Sequence, residues 1–292
     1  MRSKFSISVL IPTRNERQNL KRCLSAIADW ADEIVVIDSQ STDGTIEVAE
    51  QKGAKCLQFY YKGGWPKKRQ WALDTYDFRN DWILLLDADE IMTEKLKREI
   101  ETEIIGGKAD GYHIPLTITF LGRRLRFGGY KFYKLSLFRK GKGHYEKRFG
   151  EQTKEMADME VHEHVIVNGK TKYLNNAIEH RNVNPLYRYI QKHNEYSSWE
   201  AELLFRAKHG ISTDTELPSK LTGGTQAQKR RWLKLRLFYL PGFSVFTFLY
   251  HYVLRLGFLD GYAGFYYAAF KGVQRIHTKA KLRELEIFRG KR

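Results

Sequence analysis

Three continuous apolar runs, each followed directly by a proline or an aspartate, constrain the fold of this chain more than any other feature. They occupy residues 7–11, 34–37 and 82–86, and Pro12, Asp38 and Asp87 follow them. Such runs are typical of strands that are covered on both faces. The residues between them place apolar side chains at helical spacing. This alternation predicts an α/β fold with a mostly parallel sheet, in which ligands bind at the carboxyl ends of the strands.

Two later regions differ from this pattern. Over residues 111–182 strand patterns dominate, which predicts a small antiparallel section, and Asn168-Gly169 predicts a hairpin between strands at 162–167 and 172–180. Residues 183–292 carry helical patterns. We therefore predict one domain over residues 1–182, with halves 1–110 and 111–182, and a helical C-terminal region over residues 183–292.

The chain is strongly basic, with 50 Lys and Arg against 34 Asp and Glu and a net charge of +16. Such a charge favours an anionic partner, which could be nucleic acid, acidic lipid or a phosphorylated ligand. The only cysteines are Cys23 and Cys56. They exclude a disulfide scaffold and a thiolate zinc site, and they are typical of a reducing cytosol. The first apolar run is too short for the core of a signal peptide.

Carboxylates stand at the ends of two of the apolar runs. Asp87-Ala88-Asp89 can present two carboxylates to a hard cation such as Mg²⁺ or Mn²⁺. The alternative is a solvated strand end, because this spacing alone is common. Asp38 can accept from a nucleobase N–H or a ribose hydroxyl, or it can close an Asx turn. The basic run Lys67-Lys68-Arg69 can neutralise a diphosphate, or it can be a solvated run of charge.

A candidate general base lies in the segment His162-Glu163-His164. In a strand, alternation would put Glu163 on one face and the two histidines on the other. A carboxylate among apolar neighbours has a raised pKa and suits a general base. The alternative is an exposed strand face. His180 ends the next predicted strand, and such a histidine alone is more often structural than a ligand.

Taken together, these motifs closely resemble the family 2 glycosyltransferases, which have the GT-A fold. The resemblance covers residues 5 to 182 and rests on the order Ile-Pro-Thr-Arg-Asn-Glu, Val-Ile-Asp-Ser-Gln-Ser-Thr-Asp-Gly-Thr and Leu-Leu-Asp-Ala-Asp-Glu. Within that family, Val-His-Glu-His-Val and the later Phe-Leu-Asp-Gly-Tyr-Ala-Gly are similar to the lipopolysaccharide inner-core β-glucosyltransferase branch.

The resemblance implies an inverting transfer that depends on Mg²⁺ or Mn²⁺, which Asp89 and His180 would hold. Glu163 would be the general base. Family members often carry a Glu-Asp pair where this chain has Glu163-His164, so Asp158 and Glu160 are rivals. The Gly141–Gly143 loop would contact the acceptor or a donor phosphate. The resemblance implies that Thr13 and Glu16 border the nucleoside, that Asp38 contacts its base, that Asp87 approaches the ribose, and that Lys68 or Arg69 lies by the phosphates. Pro12 and Ala88 complete the residues implied for the donor.

Two other functions are weighed against this one. A sugar-1-phosphate nucleotidyltransferase would be expected to carry a glycine-rich phosphate loop after the first strand, and residues 12–16 hold no glycine. A nucleic-acid-binding protein would fit the charge, but no helix-turn-helix, zinc-finger or RNP-like pattern occurs. We therefore expect a nucleotide-sugar donor, in particular a UDP-sugar, with a glycolipid or oligosaccharide acceptor and no nucleic acid.

The C-terminal region suggests a membrane partner. Residues 237–254 carry no formal charge, and they are rich in Tyr and Phe, but Pro241 and Gly242 interrupt them. Basic residues are frequent over 229–236 and 271–292. This pattern predicts an interfacial segment on an anionic membrane, at the cytoplasmic face of the inner membrane. The alternative is a helical cap on the catalytic domain or a dimer contact, which leaves a homo-oligomer possible.

Overall fold

The computed structural model describes residues 5–128, 132–147, 158, 163–210, 222–224 and 226–289. The chain divides into two compact units. Unit 1 comprises residues 1–117 with 131–183, and unit 2 comprises residues 118–130 with 184–292. Residues 118–130, which the sequence analysis placed in the second half of the first domain, therefore belong with the helical region.

Unit 1 begins with alternating strands and helices that form the parallel part of the sheet. Their order is β1 (Phe5–Thr13), α1 (Arg17–Ile27), β2 (Ala31–Asp38), α2 (Thr45–Gln51), β3 (Lys55–Gln58), α3 (Lys68–Thr75) and β4 (Trp82–Leu85). β1 pairs in parallel with both β2 and β4, and β2 pairs in parallel with β3. β1 is buried from its third residue onward because apolar clusters cover both faces of the sheet. The predicted α/β fold is confirmed.

Antiparallel strands extend this sheet. The later elements are β5 (Glu90–Ile91), α4 (Glu94–Gly106), β6 (Gly111–Phe120), β7 (Arg123–Arg124), β8 (Phe132–Arg139), β9 (Gly143–Tyr145), β10 (Val165–Val167), β11 (Thr171–Tyr173) and β12 (Ile178–His180). The strand order is β3-β2-β1-β4-β8-β6-β12-β5. β8 runs antiparallel to β4 and β6, and β12 runs antiparallel to β5.

The hairpin predicted at Asn168-Gly169 is wrong. β10 pairs with β9, whereas β11 pairs in parallel with β6. Residues of other segments bind the turn between β10 and β11. Asp110 accepts a hydrogen bond from the Lys170 amide at 2.9 Å, and the Asn168 amide donates to the Lys142 carbonyl at 2.9 Å. The single strand predicted over 172–180 is likewise two strands, which pair with different neighbours.

The described residues of unit 2 are mostly helical, and the short β6–β7 ribbon is their strand part. Its helices are α5 (Leu186–Lys208), α6 (Gln226–Leu237), α7 (Phe243–Leu249), a π-helical turn (Tyr250–Leu254), a 3₁₀ turn (Gly257–Asp260) and α8 (Gly261–Arg289). The uncharged stretch 237–254 is not one helix. Gly242 has φ 71°, which is not a helical conformation, and α7 starts only after it. Across the described residues, none of these helices combines the length and apolarity needed to cross a membrane.

Candidate active site

The ends of β1 and β2 fix a buried carboxylate. Pairing of the strands places Thr13 beside Asp38, and the Thr13 hydroxyl donates to Asp38 Oδ1 at 2.8 Å. The Ser41 amide donates to Asp38 Oδ2 at 2.7 Å, and the Ser41 hydroxyl also donates to this carboxylate. Asp38 therefore closes an Asx-type turn, as its alternative interpretation expected. The same bonds hold it rigidly at a strand end, where a ligand of a parallel sheet would bind.

Asp87 lies between two cations. Its Oδ1 pairs with the Arg69 guanidinium, and its Oδ2 lies 2.9 Å from Lys134 Nζ. The Lys134 ammonium also lies 3.3 Å from Glu90 Oε1. Burial raises the pKa of Glu90, and the neighbouring Asp87 adds to this rise. Burial opposes the charge of Lys134, but Asp87 and Glu90 outweigh it and raise the pKa of that amine.

Asp89 and His180 meet although 91 positions separate them in the sequence. The antiparallel pairing of β5 with β12 brings the two segments together. His180 Nε2 lies 3.1 Å from Asp89 Oδ2, and the Asn182 side-chain amide donates to the same oxygen at 3.0 Å. The side chain of Asp89 is only 7% exposed. The structure thus places the two predicted metal ligands side by side.

The basic run at the start of α3 is not solvated. All three side chains are buried, and each pairs with a carboxylate from a different part of unit 1. Lys67 Nζ lies 2.7 Å from Glu163 Oε1, Lys68 Nζ lies 3.1 Å from Asp158 Oδ2, and Arg69 pairs with Asp87. Lys68 also donates to the Thr13 carbonyl at 2.8 Å.

Burial controls the electrostatics of the Lys68–Asp158 pair. Burial lowers the pKa of Lys68, although Asp158 opposes this. Burial would raise the pKa of Asp158, but Lys68 outweighs it, so that pKa lies below its usual range. The start of α3 therefore contacts the ends of β1 and β4. It also contacts two candidates for the general base, Glu163 and Asp158.

Glu163 is buried, but its surroundings differ from the expectation. β10 begins only at Val165, so strand alternation does not set the orientation of Glu163, and Lys67 Nζ lies 2.7 Å from its Oε1. Of its rivals, Asp158 is paired with Lys68, and Glu160 lies outside the described residues.

The next residue, His164, forms a pair that the sequence analysis missed. Its Nδ1 lies 2.8 Å from Glu146 Oε1, and its backbone amide donates to the same oxygen at 2.9 Å. Glu146 is fully buried, whereas the His164 side chain is 42% exposed. Only the pairing of β9 with β10 creates this contact, and no motif around Glu146 marks it.

The remaining predicted residues frame these clusters. Pro12, the residue before the end of β1, pairs with Ile37, and Ala88 is buried between the two aspartates. The Glu16 carboxylate accepts a hydrogen bond from the Asn19 side chain at 2.7 Å. The Gly141–Gly143 loop leads from β8 into β9, with Gly141 at φ 77°.

Comparison with known proteins identifies the family. Residues 8–164 match the family described as Glycosyl transferase family 2. The chain belongs to this family. The protein is therefore a glycosyltransferase, and the GT-A fold that the sequence implied is confirmed.

Several relatives of this family 2 glycosyltransferase span most of its length. An uncharacterized glycosyltransferase of Rickettsia felis is 29% identical over 95% of this chain and 89% of its own. The lipopolysaccharide core biosynthesis glycosyltransferase LpsC of Rhizobium meliloti is 27% identical over 68% of this chain and 72% of its own. Among solved structures, Staphylococcus aureus TarS 1–349 aligns with 99% of this chain and 92% of its own, at 15% identity and a TM-score of 0.46.

The Asp89–His180 pair of the glycosyltransferase is a candidate half-site for a metal ion. The described residues contain no group of three or more His, Cys, Asp or Glu side chains placed to hold a metal. Mg²⁺ and Mn²⁺ usually keep several waters and share oxygens of a ligand's phosphates, so one or two protein ligands suffice. A carboxylate oxygen beside an imidazole nitrogen fits such a partial site.

Proposed function

We propose that this family 2 glycosyltransferase is an inverting, metal-dependent enzyme that moves a sugar from a UDP-sugar to a hydroxyl of a lipopolysaccharide-like glycolipid. One observation carries the proposal. In unit 1, the fixed carboxylate of Asp38, the Asp89–His180 pair and the buried Glu163 are joined through neighbouring strand ends and the start of α3. A parallel sheet offers its ligand site at such strand ends.

The donor would lie along these strand ends. Asp38 would accept a hydrogen bond from the base, Asp87 would approach the ribose, and Lys68 or Arg69 would lie near the diphosphate. A divalent ion held by Asp89 and His180 would neutralise negative charge on the leaving diphosphate. The ion pairs of α3 support this arrangement, because they fix Arg69 against Asp87 and hold Lys67 and Lys68 against Glu163 and Asp158.

In the transfer, the acceptor hydroxyl attacks the anomeric carbon from the face opposite the diphosphate. The new C–O bond forms as the bond to the diphosphate breaks, which inverts the anomeric centre. Glu163 takes the proton of the hydroxyl, and a positioned base of this kind is worth ~10²–10⁴ in rate. Lys67 Nζ, 2.7 Å from Glu163 Oε1, would hold this carboxylate in position.

A lipid-linked acceptor would place the protein at the cytoplasmic face of the inner membrane as a peripheral enzyme. The net charge of +16 supports attraction to anionic lipid. The name of LpsC, which refers to lipopolysaccharide core biosynthesis, supports the acceptor class.

The test is a donor panel with the full chain. Purified protein is incubated with UDP-, GDP- and dTDP-sugars and a detergent-solubilised lipopolysaccharide core glycolipid, with Mn²⁺ or with EDTA. We expect release of UDP, transfer that EDTA abolishes, and a product whose anomeric configuration by NMR is opposite to that of the donor. Release of pyrophosphate, retention of configuration or turnover in EDTA would each contradict the proposal.

A further inference from the structure

Unit 2 carries a group of exposed apolar side chains on neighbouring elements, which we call the apolar face. It lies on α7, the π-helical turn, the 3₁₀ turn and the start of α8. Its members include Phe246, Leu254, Phe258, Leu259, Tyr262 and Tyr266, which are 46–67% exposed. Tyr252 joins these elements, because its ring contacts those of Phe258 and Phe265 at 6.3 and 5.6 Å. Exposed apolar side chains that cluster on neighbouring elements mark an interaction site more often than scattered single ones do.

The 121–128 turn, which is distant in sequence, contributes positively charged side chains beside the apolar face. The buried Asp260 accepts hydrogen bonds from the backbone amides of Arg126, Phe127 and Gly128, at 2.8, 3.1 and 2.9 Å. The Tyr262 hydroxyl donates to the Leu121 carbonyl at 3.1 Å. These bonds fix the 121–128 turn against the start of α8. The turn carries three exposed arginines, which are Arg123, Arg124 and Arg126.

Acidic residues are scarce in the stretches of sequence that form this surface. Residues 111–145 contain no Asp or Glu, and residues 237–283 contain only Asp260, which is buried. The apolar face therefore has a border of arginines without exposed acids in the same stretches of sequence. This combination matches the boundary of an anionic bilayer, where apolar side chains enter the acyl region and cations lie at the phosphates.

We propose that the apolar face and the 121–128 turn together form the surface by which this protein docks on anionic lipid. The proposal deepens the proposed function, because it names the surface that would bring the enzyme to a lipid-linked acceptor. A second copy of the chain is a poorer occupant. In a two-fold symmetric contact each arginine border would meet another part of the partner's surface, and the same stretches of sequence offer no exposed acid to pair with it.

The test is co-sedimentation of the full chain with vesicles of phosphatidylcholine alone or with about one third phosphatidylglycerol, at about 50 mM salt. We expect binding to the anionic vesicles only. The variant Phe246→Ser/Leu254→Ser/Phe258→Ser should lower the partition coefficient at least ~10-fold, because it removes apolar area that the bilayer would bury. The matched control is Ile105→Ser/Val183→Ser/Tyr187→Ser, which changes apolar residues elsewhere that are 49–81% exposed.

The charge variant is Arg123→Gln/Arg124→Gln/Arg126→Gln, and its control is Lys52→Gln/Lys95→Gln/Arg98→Gln, which changes exposed residues of unit 1. The first should lower binding to anionic vesicles by ~10-fold or more, and the control much less. Equal losses in variant and control would overturn the proposal. So would a wild-type dimer in gel filtration that ignores vesicles and becomes monomeric in the apolar variant.

Donor turnover in detergent separates this proposal from the proposed function. A variant that loses vesicle binding but releases nucleoside diphosphate at the wild-type rate supports the docking surface and shows that the chain is folded. A wild-type protein that binds vesicles but turns over no nucleotide sugar would contradict the proposed function alone.

Discussion

The buried ion pair between Lys67 and Glu163 allows stability to be separated from catalysis at the residue scale. Glu163→Gln should lower kcat at least ~10²-fold with little change in donor KM, because the amide cannot take a proton. It should also lower the free energy of unfolding by ~3–5 kcal/mol, because it removes the carboxylate from a buried ammonium. Urea unfolding and donor turnover measure the two effects.

The double variant Lys67→Met/Glu163→Gln should recover part of the stability and none of the activity. The control is Glu94→Gln/Lys97→Met, which changes a surface pair with Glu94 73% exposed and should alter stability by at most ~1 kcal/mol. An active double variant would show that Glu163 is not the base. If Asp158→Asn is the inactive variant instead, Asp158 takes that role.

Asp89 gives a second prediction at this scale. Asp89→Asn should weaken Mn²⁺ binding at least ~10-fold, because a neutral amide replaces the charged oxygen beside His180. Electron paramagnetic resonance of free Mn²⁺ in a titration measures the affinity without any turnover. The control is Asp77→Asn, since that side chain is 94% exposed and pairs only weakly at the surface. Equal Mn²⁺ affinity in Asp89→Asn and wild type would contradict the assignment.

Residues of the site differ in how far the sequence could predict them. Asp38, Asp87 and Asp89 follow apolar runs, so local pattern alone placed them at strand ends. The pairing of Asp89 with His180 followed from the family resemblance. Lys134 and Glu146 were missed because β8 and β9 bring them to Asp87 and His164, and a contact made by strand pairing leaves no local signal.

At the scale of elements, Asp260 is predicted to hold the 121–128 turn in place. Asp260→Ala removes the acceptor of three backbone amides, and each amide left unsatisfied costs ~1–3 kcal/mol. We expect faster hydrogen exchange at residues 126–128 and a lower free energy of unfolding. Asp260→Asn keeps one carbonyl acceptor. Its exchange rates at residues 126–128 and its free energy of unfolding should therefore lie between those of the wild type and those of Asp260→Ala. Unchanged exchange at residues 126–128 in Asp260→Ala would show that the turn is held by other contacts.

His251 makes the same junction sensitive to pH. Its Nδ1 lies 3.0 Å from the Gly128 carbonyl, and burial lowers its pKa from 6.5 to about 4, with Lys271, Arg255 and Arg275 adding to the shift. Below pH 6.5 the unfolded chain binds a proton at this position that the folded chain does not. The free energy of unfolding must therefore fall as the pH drops towards 4.

The expected loss attributable to His251 is ~1–3 kcal/mol between about pH 7 and about pH 4.5. His251→Gln removes the titrating group and keeps an amide that can donate to the Gly128 carbonyl. Urea unfolding at both pH values should therefore show a smaller loss in the variant. Equal losses would mean that the histidine is not held neutral in the fold.

The strands that follow from apolar runs were predictable from the sequence, whereas the pairing of later strands was not. The runs before Pro12, Asp38 and Asp87 became strands because three long apolar segments need cover on both faces. The Asn168-Gly169 signal failed because turn chemistry describes the bend and not the partner of each strand. The break at Gly242 likewise divides a stretch that hydropathy alone treats as uniform.

For the whole molecule, the two units predict two separate ligand footprints. Every residue assigned to the donor lies in unit 1, whereas the apolar face and its arginines lie in unit 2. The net charge of +16 does not distinguish these ligands, since a nucleoside diphosphate and an anionic bilayer are both negative. The location of the protected amides distinguishes them.

Hydrogen exchange of the full chain, measured with UDP-sugar and Mn²⁺ or with anionic vesicles, should show this division. The donor should protect the start of α3 and the segment around Asp89, and at ~100 times its Kd it should stabilise the fold by ~2.7 kcal/mol. Vesicles should instead protect residues 121–128 and 243–266. Arg123→Gln/Arg124→Gln/Arg126→Gln should reduce only the second footprint. Two results would contradict the assignment of separate surfaces. One is protection of amides in unit 2 by the donor, and the other is protection by vesicles centred on the strand ends of unit 1. In either case a ligand would occupy the unit whose surface was assigned to the other ligand.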